Sequence, residues 1–593
     1  NYMGMNDSDY GGGIPVTCLW RRDQGIAVGH VELSPRLVSL PVKKSKYDNY
    51  AEVAVESAGE SVVAFTQGDT ISTVRTFVSV YEGDCFAPLR QFSEYMQVSG
   101  LVMPESEPAA FEPMWCAWGY EREATFAEIL GTLPKVKELG IKWATVDDGY
   151  QIAEGDWELD TKRFPGGDRD MVDLVKKMKA YGLKVQLWWA PLAADPGTKV
   201  LKENPDFITL SKQQTPHYIT WWDSYYLSPV DSGVVSYSRD LVDRFMKKYD
   251  FDGLKLDGQH LNSVHPDYNW KHHPECPQYS YEQLPGFFKM IYDESRSINP
   301  HAVIQNCPCG CCMSFYNLPY TNQTVASDPT SSWQVRLKGY VYKALVPRTA
   351  YFGDHVELSD HGDDFASSFG IGAVLGTKFT WPKNNPKVKA DYRLTSEKEV
   401  IWKKWFSLYN EKMLSTGEYV NGLYDIGYSR PEAHVIRKDG TLYYAFYASS
   451  FDGDILVKGL EEGKKYELYD YFNEVSLGEV EGPEARLHCK FERALLFRGE
   501  KVKVQISLYN FFNKLKISIY ESITESRTES WKTQYEISVL YAIFRLLDSY
   551  VRIFGSNGSE YTNIRCCERC CWRSVNRCQC SCERRNKRNL YRL

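Results

Sequence analysis

From about residue 110 the chain alternates short apolar runs with amphipathic stretches, eight times in succession, and few folds accommodate such a pattern. The candidate strands are 114–120, 142–150, 184–191, 251–259, 301–307, 321–329, 349–356 and 378–382. Helical spacing of apolar residues fills 125–139, 170–181, 233–249, 281–297, 331–346, 366–375 and 397–413. Only the interval between 301–307 and 321–329 lacks a clear helix. Short strands joined by helices run parallel, because each crossover returns the chain to the same end of the sheet. Eight such units between residues 105 and 415 fit a closed (β/α)8 TIM barrel, an α/β fold. An open doubly wound sheet is the competitor, disfavoured because no glycine-rich phosphate loop follows the first strand.

A barrel of that span leaves much of a 593-residue chain for other domains. Residues 1–104 read as a β-rich domain, a partial β-sandwich, from β-branched runs such as 26–28, 61–65 and 73–78. Residues 416–503 return to β character in 442–448, 465–471 and 493–499, and read as a small antiparallel sandwich. Residues 504–593 form an atypical tail whose last part is dense in Cys and Arg. It contains Cys567-x-x-Cys570 but no second pair at finger spacing, so a disordered or non-native extension is favoured over a zinc site. The first residues, Asn1-Tyr2-Met3, read as a processed or truncated start, so the sequence assigns no location. A net charge of −7 gives no footprint for nucleic acid. No apolar run approaches the ~20 residues that span a bilayer. Oligomeric state is left open.

In a TIM barrel the active site is built at the carboxyl ends of the strands, so charged residues there are informative. The second strand ends in Asp147-Asp148-Gly149-Tyr150 and the fourth in Lys255-Leu256-Asp257-Gly258-Gln259. The sixth ends in Ser327-Asp328-Pro329 and the seventh in Asp354-His355. Any one aspartate there has an ordinary reading as a turn or cap residue. Four such strand ends at the same rim point to a site instead. Retaining glycoside hydrolysis needs two carboxyls about 5–5.5 Å apart, one a nucleophile and one an acid, then a base. Asp257 and Asp328 are expected to face each other across the barrel mouth. Lys255, two residues before Asp257, shares its side of the strand and would hold it ionised. Asp328 has no cation beside it in sequence, which allows the raised pKa of an acid catalyst. Trp115, Trp118, Trp188 and Trp189 are read as exposed rim aromatics for stacking on pyranose faces, with core packing the alternative for each. His260, His265, His272, His273 and Cys276 cluster after the fourth strand without a metal-ligand spacing.

These motifs, in this order over about residues 110–380, resemble the family 36 glycoside hydrolases, the melibiase-type α-galactosidases. The resemblance implies Asp257 as nucleophile and Asp328 as acid/base. It implies Asp147 and Asp148 as the pair gripping the 4- and 6-hydroxyls, with Lys255 a sugar ligand. Leu187-Trp188-Trp189-Ala190-Pro191 looks like the family's Leu-Trp-Phe-Glu-Pro strand and makes Trp188 a stacking residue, with Trp115 matching the first-strand Trp. Cys307-Pro308-Cys309-Gly310 resembles a Cys-Ser-Gly-Gly run near the 2-hydroxyl, placing Cys307 and Gly310 there. Gly353-Asp354-His355-Val356 resembles Gly-Ala-His-Val and adds His355. Gln259 stands where the family has Asn, Ala190 where it has Glu, and Pro329 where it has a second Asp. The reading is hydrolysis of terminal α-galactosides, with no cofactor or metal. Transfer of a galactosyl group, an α-N-acetylgalactosaminide substrate and a catalytically silent carbohydrate-binding protein are the alternatives.

Overall fold

The computed structural model describes residues 13–57, 66–220, 222–262, 264–273, 275–381 and 392–502. The 504–593 tail with its cysteines and the 61–65 run lie outside the described residues.

Three antiparallel strands open the chain: β1 (Val16–Arg21), β2 (Gln24–His30) and β3 (Thr76–Glu82), ordered β1-β2-β3. A helix follows, α1 (Ala87–Val98), inside the region read from sequence as β-structure. Its signal is the helical spacing of Leu89, Phe92 and Met96, all buried, with Pro88 pre-setting the first turn. The flanking β-branched runs mask that period.

The barrel strands are β4 (Met114–Cys116), β5 (Trp143–Val146), β6 (Lys184–Trp189), β7 (Gly253–Asp257), β8 (Val303–Cys307), β9 (Gln323–Val325), β10 (Ala350–His355) and β11 (Val374–Thr377). They pair in sequence order, all parallel, and β11 closes on β4. Nearly every strand residue is buried, as expected of a sheet covered on both faces. The lumen carries a polar layer: Thr145 donates to Gln186 at 3.0 Å, and Gln305 to Gln323 at 2.5 Å. The helices are α2 (Phe126–Glu138), α3 (Asp168–Ala180), α4 (Ser232–Val242), α5 (Leu284–Ile298), α6 (Ser332–Leu345), α7 (Phe365–Gly370) and α8 (Ser396–Lys412). Thr125 and Glu128 close a capping box at the start of α2. Only short 3-10 turns separate β8 from β9.

The eighth strand corrects the sequence reading: it is Val374–Thr377, not 378–382. Ile371, Val374 and Leu375 continue the spacing of α7 and read as helix, but Gly372 at φ +70° ends it.

Beyond the barrel, β12 (Glu418–Tyr419), β13 (Glu432–Lys438), β14 (Thr441–Val457), β15 (Lys465–Asp470), β16 (Val475–Glu481) and β17 (Ala485–Lys501) form one antiparallel sheet ordered β12-β13-β14-β17-β15-β16. One apolar cluster takes residues from both halves of β14, Leu442 and Tyr444 with Ile455 and Val457. Among the described residues no helix is long and apolar enough to cross a membrane.

Candidate active site

Asp257 ends β7, and both of its oxygens accept hydrogen bonds. The Trp188 indole donates to Oδ2 at 2.9 Å and the Cys309 thiol to Oδ1 at 2.9 Å. Trp188 sits on the neighbouring strand β6 in register with Lys255. The Lys255 ammonium lies 3.5 Å from Asp257 Oδ2 and closer, 2.8 Å, to Asp147 Oδ2. Cys116, at the end of β4, donates to the same Asp147 oxygen at 3.0 Å. Four adjacent strand ends thus tie one cation to two buried carboxylates.

Electrostatics separates these groups. Burial favours the neutral acid at Asp147, but Lys255 and the donated hydrogen bonds outweigh it and hold the carboxyl below its ordinary value. At Asp257 burial prevails, with the nearby Asp328 charge adding to it and Lys255 opposing, so its carboxyl is raised. Burial works against the Lys255 ammonium, yet Asp147 and Asp257 push its pKa well above the usual lysine value. Lys255 is charged.

Asp328 follows β9 and is exposed at the mouth. The rim crowds it and, with the Asp354 carboxylate beside it, raises its carboxyl against the pull of Lys255, Lys378 and Lys338. Its backbone N–H donates to Asp354 Oδ2 at 2.7 Å. Ser327, Asp328 and Asp354 all adopt left-handed backbone, at φ 52°, 45° and 63°. Non-glycine residues pay roughly 1 kcal/mol or more for that conformation and keep it where surrounding contacts over-determine it. Here the contacts are Gly310 N–H to Ser327 Oγ at 3.1 Å and the buried Lys338 ammonium on the Ala326 and Ser327 carbonyls at 2.7 and 2.9 Å. Strain at a cluster of this kind marks a site built for geometry rather than for stability.

Lys255, Cys307, Asp354 and His355 line one small cavity at the barrel centre. Burial, then Lys378 and Lys255, hold the His355 imidazole well below its usual pKa, so it is neutral. Asp148 is placed differently from its neighbour. Arg122 binds its Oδ2 at 2.7 Å and Gln151 its Oδ1 at 2.7 Å, and burial, opposed by Arg122, raises its carboxyl. Gln259 opens a short turn and is half-buried, while Gly310 is exposed.

Several expectations need correction. Asp257 and Asp328 are not on diametrically opposed strands: only β8 separates β7 from β9, and the Asp328 charge acts on Asp257. Trp115, Trp188 and Trp189 are not exposed; each is at most 1% accessible. Trp115 is sealed beneath Phe379, donating to its carbonyl at 2.8 Å, and Trp188 packs on Trp222 while holding Asp257. Trp118 is half-buried. Lys255 has its shorter contact with Asp147, not Asp257. Sequence reasoning missed the roles of Cys116, Cys309, Arg122, Asp354 and Lys338. Cys309 and Asp354 stood inside motifs already singled out; Lys338, on a helix flank, had no signal.

Residues 108–367 match the family model described as Melibiase. Within those bounds the barrel is of the melibiase type, the type that family 36 glycoside hydrolases carry. An A type blood alpha-D-galactosamine galactosaminidase of Flavonifractor plautii is 28% identical to this chain over 83% of it and 45% of that protein. Alpha-galactosidase 1 of Pediococcus pentosaceus is 25% identical over 32% of the chain and 26% of its own length. The chain therefore spans less than half the length of these curated relatives. A family 36 alpha-galactosidase of Geobacillus stearothermophilus, solved in complex with raffinose, shares the melibiase fold at a TM-score of 0.60 and 16% identity, covering 82% of this chain and 69% of that one.

Proposed function

We propose that this chain hydrolyses terminal α-galactosides with retention, through a covalent galactosyl–Asp257 intermediate. The observation that carries the reading is the Asp257 carboxylate, buried at a strand end with a donor on each oxygen and a charged lysine 3.5 Å away. Its oxygen attacks the anomeric carbon as the bond to the leaving oxygen breaks, and Asp328 gives that oxygen its proton. Asp328, now a carboxylate, takes a proton from water, and the hydroxyl so formed displaces Asp257. Asp147 and Lys255 are suited to the ring hydroxyls, one as acceptor and one as donor. Asp148, held by Arg122, steadies the same rim.

A second reading concerns the 2-substituent. The relative aligned over 83% of this chain is named for galactosamine. Burial and then the Asp257 charge, opposed by Lys255 and joined by Asp328 and Asp354, raise the pKa of the Cys307 thiol, in the run that resembles the family's 2-hydroxyl contact. An amino or acetamido group on C2 would be read there.

Aryl α-glycosides of galactose, galactosamine, N-acetylgalactosamine, glucose and arabinose, with NMR of the first-formed anomer, test both. Turnover of the galactoside or galactosaminide with an α product is expected. A β product, or turnover confined to the glucoside, sinks the proposal. Asp257→Ala should lose turnover and regain it with azide, releasing the β-glycosyl azide; substantial activity without azide removes Asp257 from its role.

A further inference from the structure

A second concavity lies beside the catalytic rim, between barrel loops and the C-terminal sheet. It encloses about 840 Å³, within the ~300–1,000 Å³ typical of ligand sites. Trp333 lines it and is 49% exposed, an unusual degree for an indole inside a cleft. Trp333 lies in the first turn of α6, five residues after Asp328, so its Cα is at most about 18 Å from that of the acid/base. The loop after β10 supplies another part of the wall. Both wall segments follow strand ends, which places the cleft on the carboxyl-end face of the barrel, the face that carries Asp328.

The lining is charged but balanced: Arg336, Arg430 and Arg493 against Asp360, Asp364 and Glu432. Much of that charge is already engaged. Arg336 binds Glu432 through two nitrogens at 2.7 and 3.0 Å, Arg493 binds Asp363 at 2.7 Å, and Asp364 caps α7. Arg430 meets the Ser429 carbonyl at 3.0 Å, and because the lining charges cancel overall an ionic ligand gains little net attraction, whereas a polyhydroxylated one meets donors and acceptors around an aromatic face. Resting on the hydrolysis described above, we propose that this cleft binds neutral sugar units on the leaving-group side of an extended glycan, with Trp333 as the stacking platform.

Calorimetric titration of the full chain with neutral and sialylated tetrasaccharides lacking a terminal α-galactosyl residue reads the cleft apart from catalysis. A neutral tetrasaccharide is expected to bind and sialylated ones are not. Trp333→Ala should weaken binding about tenfold. Arg430→Ala, in the loop before β13, should weaken it too, with melting temperatures showing that both variants fold. No binding by any neutral tetrasaccharide, equal binding of sialylated ones, or unchanged affinity in both variants overturns the proposal. Failure of the aryl-glycoside panel sinks the hydrolytic reading but leaves the titration result standing.

Discussion

Lys338 is buried on α6, and its ammonium donates to the carbonyls of Gly310, Ala326 and Ser327 at 3.1, 2.7 and 2.9 Å. It therefore ties the Cys-Pro-Cys-Gly loop after β8 to the strained Ser327-Asp328 turn after β9. The same positive charge pulls the Asp328 carboxyl down, while Asp354 pushes it up. In the mechanism proposed above Asp328 must be protonated to assist departure, so its pKa would set the basic limb of kcat/KM. Removing the cation in Lys338→Met raises that pKa, and the basic limb moves to higher pH. Asp354→Asn removes the opposing charge and moves the limb to lower pH. Lys338→Met should also lose more rate on poor leaving groups than on dinitrophenyl glycosides, which need little protonation. Identical profiles in the three proteins would show that neither residue acts on Asp328. The rim aspartates stood out in sequence only as a group, since one at a strand end reads as a turn residue and four such strand ends together do not. Lys338 did not stand out, since a helix lysine reads as solvated until the fold buries it.

The strand that carries Asp257 contains a glycine with a packing reason. A Cβ on Gly253 would stand 2.3 Å from the Val303 carbonyl oxygen of β8. Backbone cannot yield as a side chain tip can, so Gly253→Ala should push β7 away from β8 and carry Asp257 and Lys255 with it. Misplacement by about 1 Å costs on the order of 10²-fold in rate. Soluble Gly253→Ala with wild-type kcat would show that the pair of strands tolerates the shift. Alternation of strand and helix was legible at this scale because period 2 and period 3.6 leave different apolar patterns. The exceptions are instructive. In 371–375 a buried strand follows a short helix with no polar break, and the two periods cannot be told apart without the turn at Gly372. Burial also undid the reading of the tryptophans: an apolar residue at a strand end looks alike in sequence whether it points to the lumen or lies under the next loop.

At the scale of the whole molecule, the barrel and the C-terminal sheet share an apolar core that takes in Ile436, Tyr447 and Leu496, and a nearly buried ion pair crosses between them. Arg336 of α6 donates to both Glu432 oxygens on β13, stacks over Tyr447 at 4.3 Å and reaches Ser367 at 2.7 Å. Burial alone would raise the Glu432 carboxyl, but His434 and Arg336 hold it down at about 2. A carboxyl depressed on folding adds stability that is complete above its unfolded pKa, ~4.3, and is lost as pH falls toward the folded value. Glu432→Gln leaves Arg336 buried without a counter-charge, for which about 3 kcal/mol of destabilisation at neutral pH is expected. Wild type should then converge on the variant as both are acidified from ~4.3 toward 2, because protonated Glu432 is itself nearly a glutamine. Denaturant melts of the two proteins at neutral pH and near pH 3 measure the gap. If it stays constant across that window, the pair does not titrate as a unit, and the junction is held by apolar packing around Tyr447 instead.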